Sequence, residues 1–216
     1  MKHDYHRHAS APLFENAFLE RASRVNPVTP FAFYIPIIVG LQAWALWNGH
    51  TSLGWTLAAC PVGWIAWQAM EYFLHRSFFH WEGNGPFTRK VHAIIHGYHH
   101  EYPDDLDRLV MPLGASIPLA LVIAGLLWLV GRPDATIPYF VGIVGAYLWY
   151  DFLHWSTHAR QPLTQWGKTL RAHHMAHHFN TPEKNYGISH RWVDIVVGSL
   201  RKRPQREEVG STSPQV

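Results

Sequence analysis

VNPVTPFAFYIPIIVGLQAWALWNGHTSLGWTLAACPVGWIAWQAM, residues 25–70, runs for 46 positions between Arg24 and Glu71 without one Asp, Glu, Lys or Arg. A hydrocarbon core about 30 Å thick takes roughly 20 apolar helical residues per crossing, so the stretch is long enough for two. Asn48, Gly49 and His50 supply a turn in its middle, which predicts helices over residues 31–47 and 53–70. Pro36 and Pro61 fall inside them; in a membrane bundle, neighbouring helices satisfy the carbonyls that a proline leaves free. The layout recurs downstream. Residues 109–130 are uncharged over a full span, GRPD at 131–134 turns the chain, and residues 135–150 return as a slightly short fourth span. Buried helices of a soluble protein need no such length, and both hairpins have it. The fold class expected is all-α and integral to a membrane, with four transmembrane helices in two hairpins.

Composition agrees. Of 216 residues, 48% are hydrophobic and only 15% charged, against about 25% charged in a typical soluble domain. The single cysteine, Cys60, excludes a disulfide framework. The net charge of +3 matters less than its placement: seventeen Lys and Arg lie in the amino-terminal, middle and carboxy-terminal segments, and only Arg132 lies in a connection on the other side. Basic loops stay in the cytoplasm. Both termini and the middle segment are therefore expected there, in a bacterial inner membrane or the endoplasmic reticulum, and the basic balance reads as topology with no nucleic-acid partner. The first 30 residues carry Asp4, Glu15 and Glu20 and lack the apolar core of a cleavable signal. Leu13, Phe14, Ala17, Phe18 and Leu19 could form a short amphipathic helix on the membrane surface. One domain over residues 1–200 is expected, followed by a disordered, charged tail over 201–216.

Seventeen histidines are several times ordinary usage, and they cluster. His75 and His80 frame HRSFFH after the second span; His96, His99 and His100 form HGYHH in the middle segment. His154 and His158 frame HWSTH after the fourth span, and His174, His177 and His178 form HMAHH. All four groups fall on the cytoplasmic side at or beyond helix ends. Residues three and four apart share a helix face, so HxxHH and HxxxH can each present imidazoles to one point. His75 and His80 differ: five steps of about 100° leave them roughly 140° apart on a straight helix. Either the helix ends or distorts between them, or the two serve different ions.

Ten imidazoles are too many for one ion and suit two, each with room for an exogenous ligand. The cytoplasmic helical cap is thus expected to hold a histidine-rich di-metal site. Imidazole suits zinc, copper, iron and nickel alike. No histidine pair brackets a glutamate as in HExxH, which counts against a zinc hydrolase. Two redox-active irons beside a bilayer suit O2 activation for attack on a lipid C–H bond, with zinc able to occupy the same donors. Glu71, four residues before His75, and Asp151, three before His154, are placed to accept the second N–H of a ligand ring. Asp104, Asp105, Asp107 and Arg108 read as a charge-assisted network holding their loop. His92 and His173 are open as ligands; His3, His6, His8, His50 and His190 read as ordinary. Trp44, Trp47, Trp55, Trp64, Trp67, Trp128 and Trp149 read as interfacial belt or helix contacts.

The boxes EYFLHRSFFH from Glu71, HGYHHEYPDDLDRLVMP from His96, YDFLHWSTH from Tyr150 and HMAHHF from His174 resemble the fatty acid hydroxylase and sterol desaturase superfamily, most closely its fatty acid 2-hydroxylases. LFENAFLE from Leu13, YGIS from Tyr186 and WVD from Trp192 extend the resemblance over roughly residues 13–199. It implies the same ten ligands, with His173 where the family usually has Tyr and Ala159 where a second adjacent His is common. It also implies reduction of two irons, O2 binding, hydrogen abstraction near the carboxyl end of an acyl chain, and hydroxyl rebound. With no cytochrome b5-like domain in its length, the chain is expected to be the oxygenase component alone, taking electrons from a separate ferredoxin or cytochrome b5-type donor. A carotenoid or sterol oxygenase would share the boxes, but RLVMP favours the acyl reading. A metal carrier would carry its ligands along the spans, where almost no histidine stands.

Overall fold

Local chemistry marks both ends of the first hairpin. The structure, a computed structural model, describes residues 10–201; the proposed tail from 202 onward and His3, His6 and His8 lie outside them. Helix α2 (Thr29–Trp47) has Pro30 in its first turn, where the missing N–H would have had no helical partner. It stops at Asn48, and Gly49 takes φ 70°, a left-handed conformation that glycine adopts without a Cβ clash. Helix α3 (Leu53–Leu74) opens on Ser52, whose hydroxyl accepts the Trp55 N–H at 3.1 Å. The second hairpin departs from its expected bounds in an instructive way. Helix α6 (Leu113–Val130) starts four residues later than residue 109 because Pro112 caps it in an extended conformation. Proline disfavours helix in the residue before it, so Leu109 and Val110 stay outside the helix with their carbonyls available. Helix α7 (Pro133–Ala159) runs nine residues past 150 and carries Asp151, His154 and His158 on one rigid rod.

Helices α3 and α7 form the closest pair. A Cβ at Gly63 would lie 2.2 Å from the Tyr139 carbonyl oxygen, and one at Gly142 would lie 2.1 Å from that of Cys60, so backbone meets backbone there, as residues without a Cβ permit. Tyr34, Trp67, Tyr147 and Tyr150 fill the bundle edge to face, and the Tyr34 hydroxyl donates to Ser116 Oγ at 3.0 Å. Trp67 is thus a buried contact, whereas Trp47 and Trp128 point outward. By length and composition, two helical stretches among the described residues, Thr29–Trp47 and Leu106–Val130, are apolar enough to cross a bilayer.

The remaining helices are short apart from one: α1 (Ala17–Ala22), α4 (Pro86–His92), α5 (Tyr98–Glu101), α8 (Gln165–Phe179) and α9 (Trp192–Val197). Helix α8 packs on α7, and α9 on α3. The helix expected from Leu13 begins at Ala17 instead, because Asn16 caps it by accepting the Phe18 and Leu19 N–H groups at 3.0 and 3.1 Å. No strand occurs among the described residues.

Candidate metal centre

The awkward spacing of His75 and His80 is resolved by a π-helical turn, His75–Phe79, continuous with α3. The His80 N–H donates to the His75 carbonyl at 3.2 Å, an i to i+5 bond that widens the turn and stacks residues five apart on one face. Their Nε2 atoms consequently stand 3.3 Å apart. Of the two alternatives, the helix distorts and the pair serves one centre. A second π-helical turn, Ala93–Gly97, delivers His96 just before α5.

Ten imidazoles sort into two groups of five: His75, His80, His96, His100 and His177, and His99, His154, His158, His174 and His178, with the ligand atoms of each group within 4.8 Å of one another. These are the ten expected from the boxes, but each HxxHH box does not serve one point. His96 and His100 face one centre while His99 faces the other; His174 and His178 share a centre while His177 crosses to the first. Four steps along a helix return a side chain to within about 40°, whereas adjacent residues diverge by about 100°. The groups touch through His100 and His178, whose rings stack at 4.3 Å between centroids.

The donor set fits a cation at each group. In the first, Nε2 atoms approach in a ring: His75 to His96 at 3.0 Å, His96 to His80 at 3.1 Å, His80 to His177 at 3.0 Å, His177 to His100 at 3.2 Å and His100 to His96 at 2.9 Å. In the second, His154 meets His99 at 2.9 Å, His158 meets His174 at 2.9 Å and His174 meets His178 at 3.1 Å. Three of the opposite ring nitrogens meet backbone carbonyls. Nδ1–H of His75 donates to the Tyr186 carbonyl at 2.6 Å, that of His177 to Lys184 at 2.7 Å and that of His154 to Leu109 at 3.0 Å. In these three rings this fixes the tautomer and turns a bare Nε2 lone pair toward the neighbouring imidazoles, and such lone pairs repel one another unless a cation lies between them. With imidazole–metal bonds of about 2.1 Å, ligands at right angles stand about 3.0 Å apart, which is the spacing seen. Burial, then repulsion from neighbouring imidazoles, lowers the pKa of His75, His96 and His99 well below the usual histidine range, and that of His177 to about 3. The rings are therefore neutral at physiological pH, the form that ligates.

The carboxylates act one layer further out than their spacing predicts. Glu71 reaches no ligand; it accepts the Ile188 and Ser189 N–H groups at 2.6 and 2.8 Å and the Ser189 hydroxyl, pinning the loop whose Tyr186 carbonyl holds His75. Asp151 likewise reaches no imidazole. It accepts the Met111 N–H at 3.4 Å, while the Leu109 carbonyl takes the role expected of it. His92 donates to the Phe79 carbonyl at 2.7 Å and His173 to Asp194 Oδ2 at 3.1 Å; neither joins a group.

Asp194 is the residue the spacing argument missed, although the WVD fragment drew notice to it. Fully buried, it accepts Tyr186 N–H at 3.0 Å, Gly187 N–H at 2.8 Å and the Ser199 hydroxyl at 2.7 Å. Burial alone would raise its pKa, but hydrogen bonds from His173, Ser199 and Gly187 hold it at about 2. The expected acidic network is present: buried Asp105 binds Arg108, Tyr98 and Ser10, and Arg108 also binds Glu20 of α1. It ties α1 over an apolar cavity of about 800 Å³ whose lining includes Leu13, Phe14, Leu19, Phe78, Leu109 and Leu119 and which reaches His96, His99 and His154.

The fatty acid hydroxylase family profile matches residues 60–199. A dihydroceramide fatty acyl 2-hydroxylase of Arabidopsis thaliana is 33% identical over 189 residues, covering 87% of this chain and 78% of that protein. The fatty acid 2-hydroxylase of Homo sapiens is 33% identical over 148 residues, covering 64% of this chain and 38% of that one. Among solved structures, the hydroxylase domain of full-length scs7p superposes with a TM-score of 0.83 at 29% identity, over 90% of this chain and 74% of that chain. The chain, with its ten histidines in two groups of five, belongs to the fatty acid hydroxylase family.

Proposed function

We propose that this chain is a membrane-bound di-iron oxygenase that hydroxylates a lipid acyl chain at the 2-position of a fatty acyl or sphingolipid N-acyl group. O2 is the co-substrate, and two electrons come from an external donor such as a ferredoxin or cytochrome b5-type protein: one oxygen atom enters the C–H bond and the other leaves as water with two protons. The observation that carries the reading is the apolar cavity reaching His96, His99 and His154, which puts a lipid-sized space against both five-histidine groups. Iron in each group would supply the one-electron chemistry that breaks a C–H bond. The protein's own residues do the rest. His75, His80, His96, His100 and His177 would hold one ion, and His99, His154, His158, His174 and His178 the other. Carbonyls of Tyr186, Lys184 and Leu109 fix three of the rings, and the cavity walls exclude water and align the acyl chain.

The relatives' names as fatty acyl and fatty acid 2-hydroxylases support the substrate class. Four spans with both termini and the metal site cytoplasmic fit the apolar residues that α3 turns outward, Leu57, Val62 and Ile65, since contiguous apolar surface of that kind is unfavourable in water. The catalytic unit is the domain over residues 1–200. Lipid mass spectrometry on cells expressing wild type or His99→Ala tests the activity: one added oxygen on acyl lipids is expected for wild type alone. Wild-type lipids unchanged with a competent reductant, or purified protein without two iron equivalents after iron-replete expression, would overturn the proposal.

A further inference from the structure

A second cleft, of about 540 Å³, opens between α3, α7, α8 and α9 and shares no lining residue with the acyl cavity. We propose that it seats the headgroup of a polyol phospholipid of the phosphoglycerol class, taking the phosphate and a neighbouring hydroxyl. The proposal rests on the membrane topology given above, but not on hydroxylation.

Its walls are Trp149, Trp166 and Trp192, all partly exposed, with Trp149 and Trp166 stacked at 6.1 Å. Tryptophan concentrates at headgroup depth, and Gln68 and Trp149 stand within a turn of the cytoplasmic ends of the second and fourth spans. Beside the cleft, Ile195 and Val196 of α9 are 59% and 76% exposed, an apolar edge suited to contact with the bilayer.

The polar groups define the ligand. His190 lines the cleft yet is only 7% exposed. Its Nδ1 edge lies 3.6 Å from the Glu71 carboxylate and 3.3 Å from Ser189 Oγ, and its Nε2 is buried with no partner among the described residues. A carboxylate can only accept, so the ring proton belongs on Nδ1, and Nε2 offers a lone pair to a hydroxyl donor. Arg191 also lines the cleft, and its Nε is likewise buried without a partner among the described residues. Helix α8 begins at the cleft with Gln165 and Trp166, whose N–H groups have no intrahelical acceptor. Among the described residues, no Asp or Glu lines the space. Cationic and N–H donors without an acidic counterpart favour an anion, and the acceptor beside them favours a hydroxyl carried by the same headgroup. The seat would also steady the metal centre. His190 faces Glu71, Glu71 holds the Ile188 and Ser189 amides, and that loop presents the Tyr186 carbonyl to His75.

The test is native mass spectrometry of the metal-loaded protein in detergent, offered equimolar phosphatidylglycerol, phosphatidic acid and phosphatidylcholine. Wild type should retain phosphatidylglycerol over phosphatidylcholine by about tenfold, and glycerol 1-phosphate should displace it. Arg191→Gln should weaken both anionic lipids about tenfold, and His190→Phe should erase about a fivefold preference for phosphatidylglycerol over phosphatidic acid. Equal retention of all three lipids by wild type, or Arg191→Gln and His190→Phe that retain them as wild type does, would overturn the proposal. So would a preference for phosphatidylcholine, which would mean that the tryptophans read a quaternary ammonium. Should His190→Phe not fold, Arg191→Gln decides the question alone. Lipid preference without hydroxylation would sink the enzymatic reading and leave this one standing; hydroxylation without lipid preference would do the reverse.

Discussion

Replacing Asp194 by Asn tests how the outer hydrogen bonds support the metal centre. Asp194 is held at about 2 against an ordinary 3.8, and at 1.36 kcal/mol per pKa unit that depression corresponds to about 2.5 kcal/mol of native stability. Because the folded value is the lower one, this contribution is fully present above pH 4 and is lost as pH falls toward 2. Asparagine removes the charge and leaves one oxygen where two served four donors, of which the Tyr186 and Gly187 N–H groups are backbone and cannot turn away. Orphaning one of them costs a further 1–3 kcal/mol, roughly. Thermal unfolding in detergent at pH 7 should therefore show a loss of about 3–5 kcal/mol in the variant, a gap that narrows by pH 3. The damage should also be directional. Tyr186 holds His75 of one group, whereas the other group leans on Leu109. Chelator titration followed by metal analysis should find one metal equivalent weakened tenfold or more, roughly, and the other unchanged. Unaltered melting, a gap independent of pH, or simultaneous weakening of both equivalents would refute the reasoning.

Gly142→Val should cost about 3 kcal/mol or more in thermal denaturation, because a Cβ there meets the Cys60 carbonyl at 2.1 Å and backbone cannot swing aside; wild-type melting would disprove the close approach of α3 and α7. His173→Tyr should keep full metal content while His174→Ala loses it, a contrast that metal analysis reads directly, since only His174 belongs to a five-histidine group. Leu119→Trp, which narrows the apolar cavity, should shift the hydroxylated products toward shorter acyl chains in lipid mass spectrometry; an unchanged chain-length profile would place the acyl chain elsewhere.

Much of this protein was legible in the order of its residues because the relevant forces are local. The charge-free stretch of residues 25–70, with Asn48 and Gly49 in its middle, could only become a hairpin of apolar helices, and four histidine boxes near helix ends identified the ten imidazoles that the fold gathers. For His75 and His80, helix geometry left a choice between a helix that ends or distorts and two separate ions, and only the structure decides it with a π-helical turn. Spacing failed where partners come from distant segments. Glu71 and Asp151 stand one helical turn from ligands, but carbonyls of Tyr186 and Leu109 take the imidazole N–H groups, and the residue that fixes Tyr186 is Asp194, which lies 119 positions from His75 in the chain. The allocation of ligands was likewise out of reach. His99 and His100, or His177 and His178, are indistinguishable in sequence yet diverge by about 100° on their helices. Only the placement of α5 and α8 between the ends of α3 and α7 decides that one of each pair faces one centre and its neighbour the other. The sequence by itself determined which side chains could bind metal and on which helices they stand; the tertiary structure decided which ion each would serve and what holds it there, because those are properties of contacts between segments far apart in the chain.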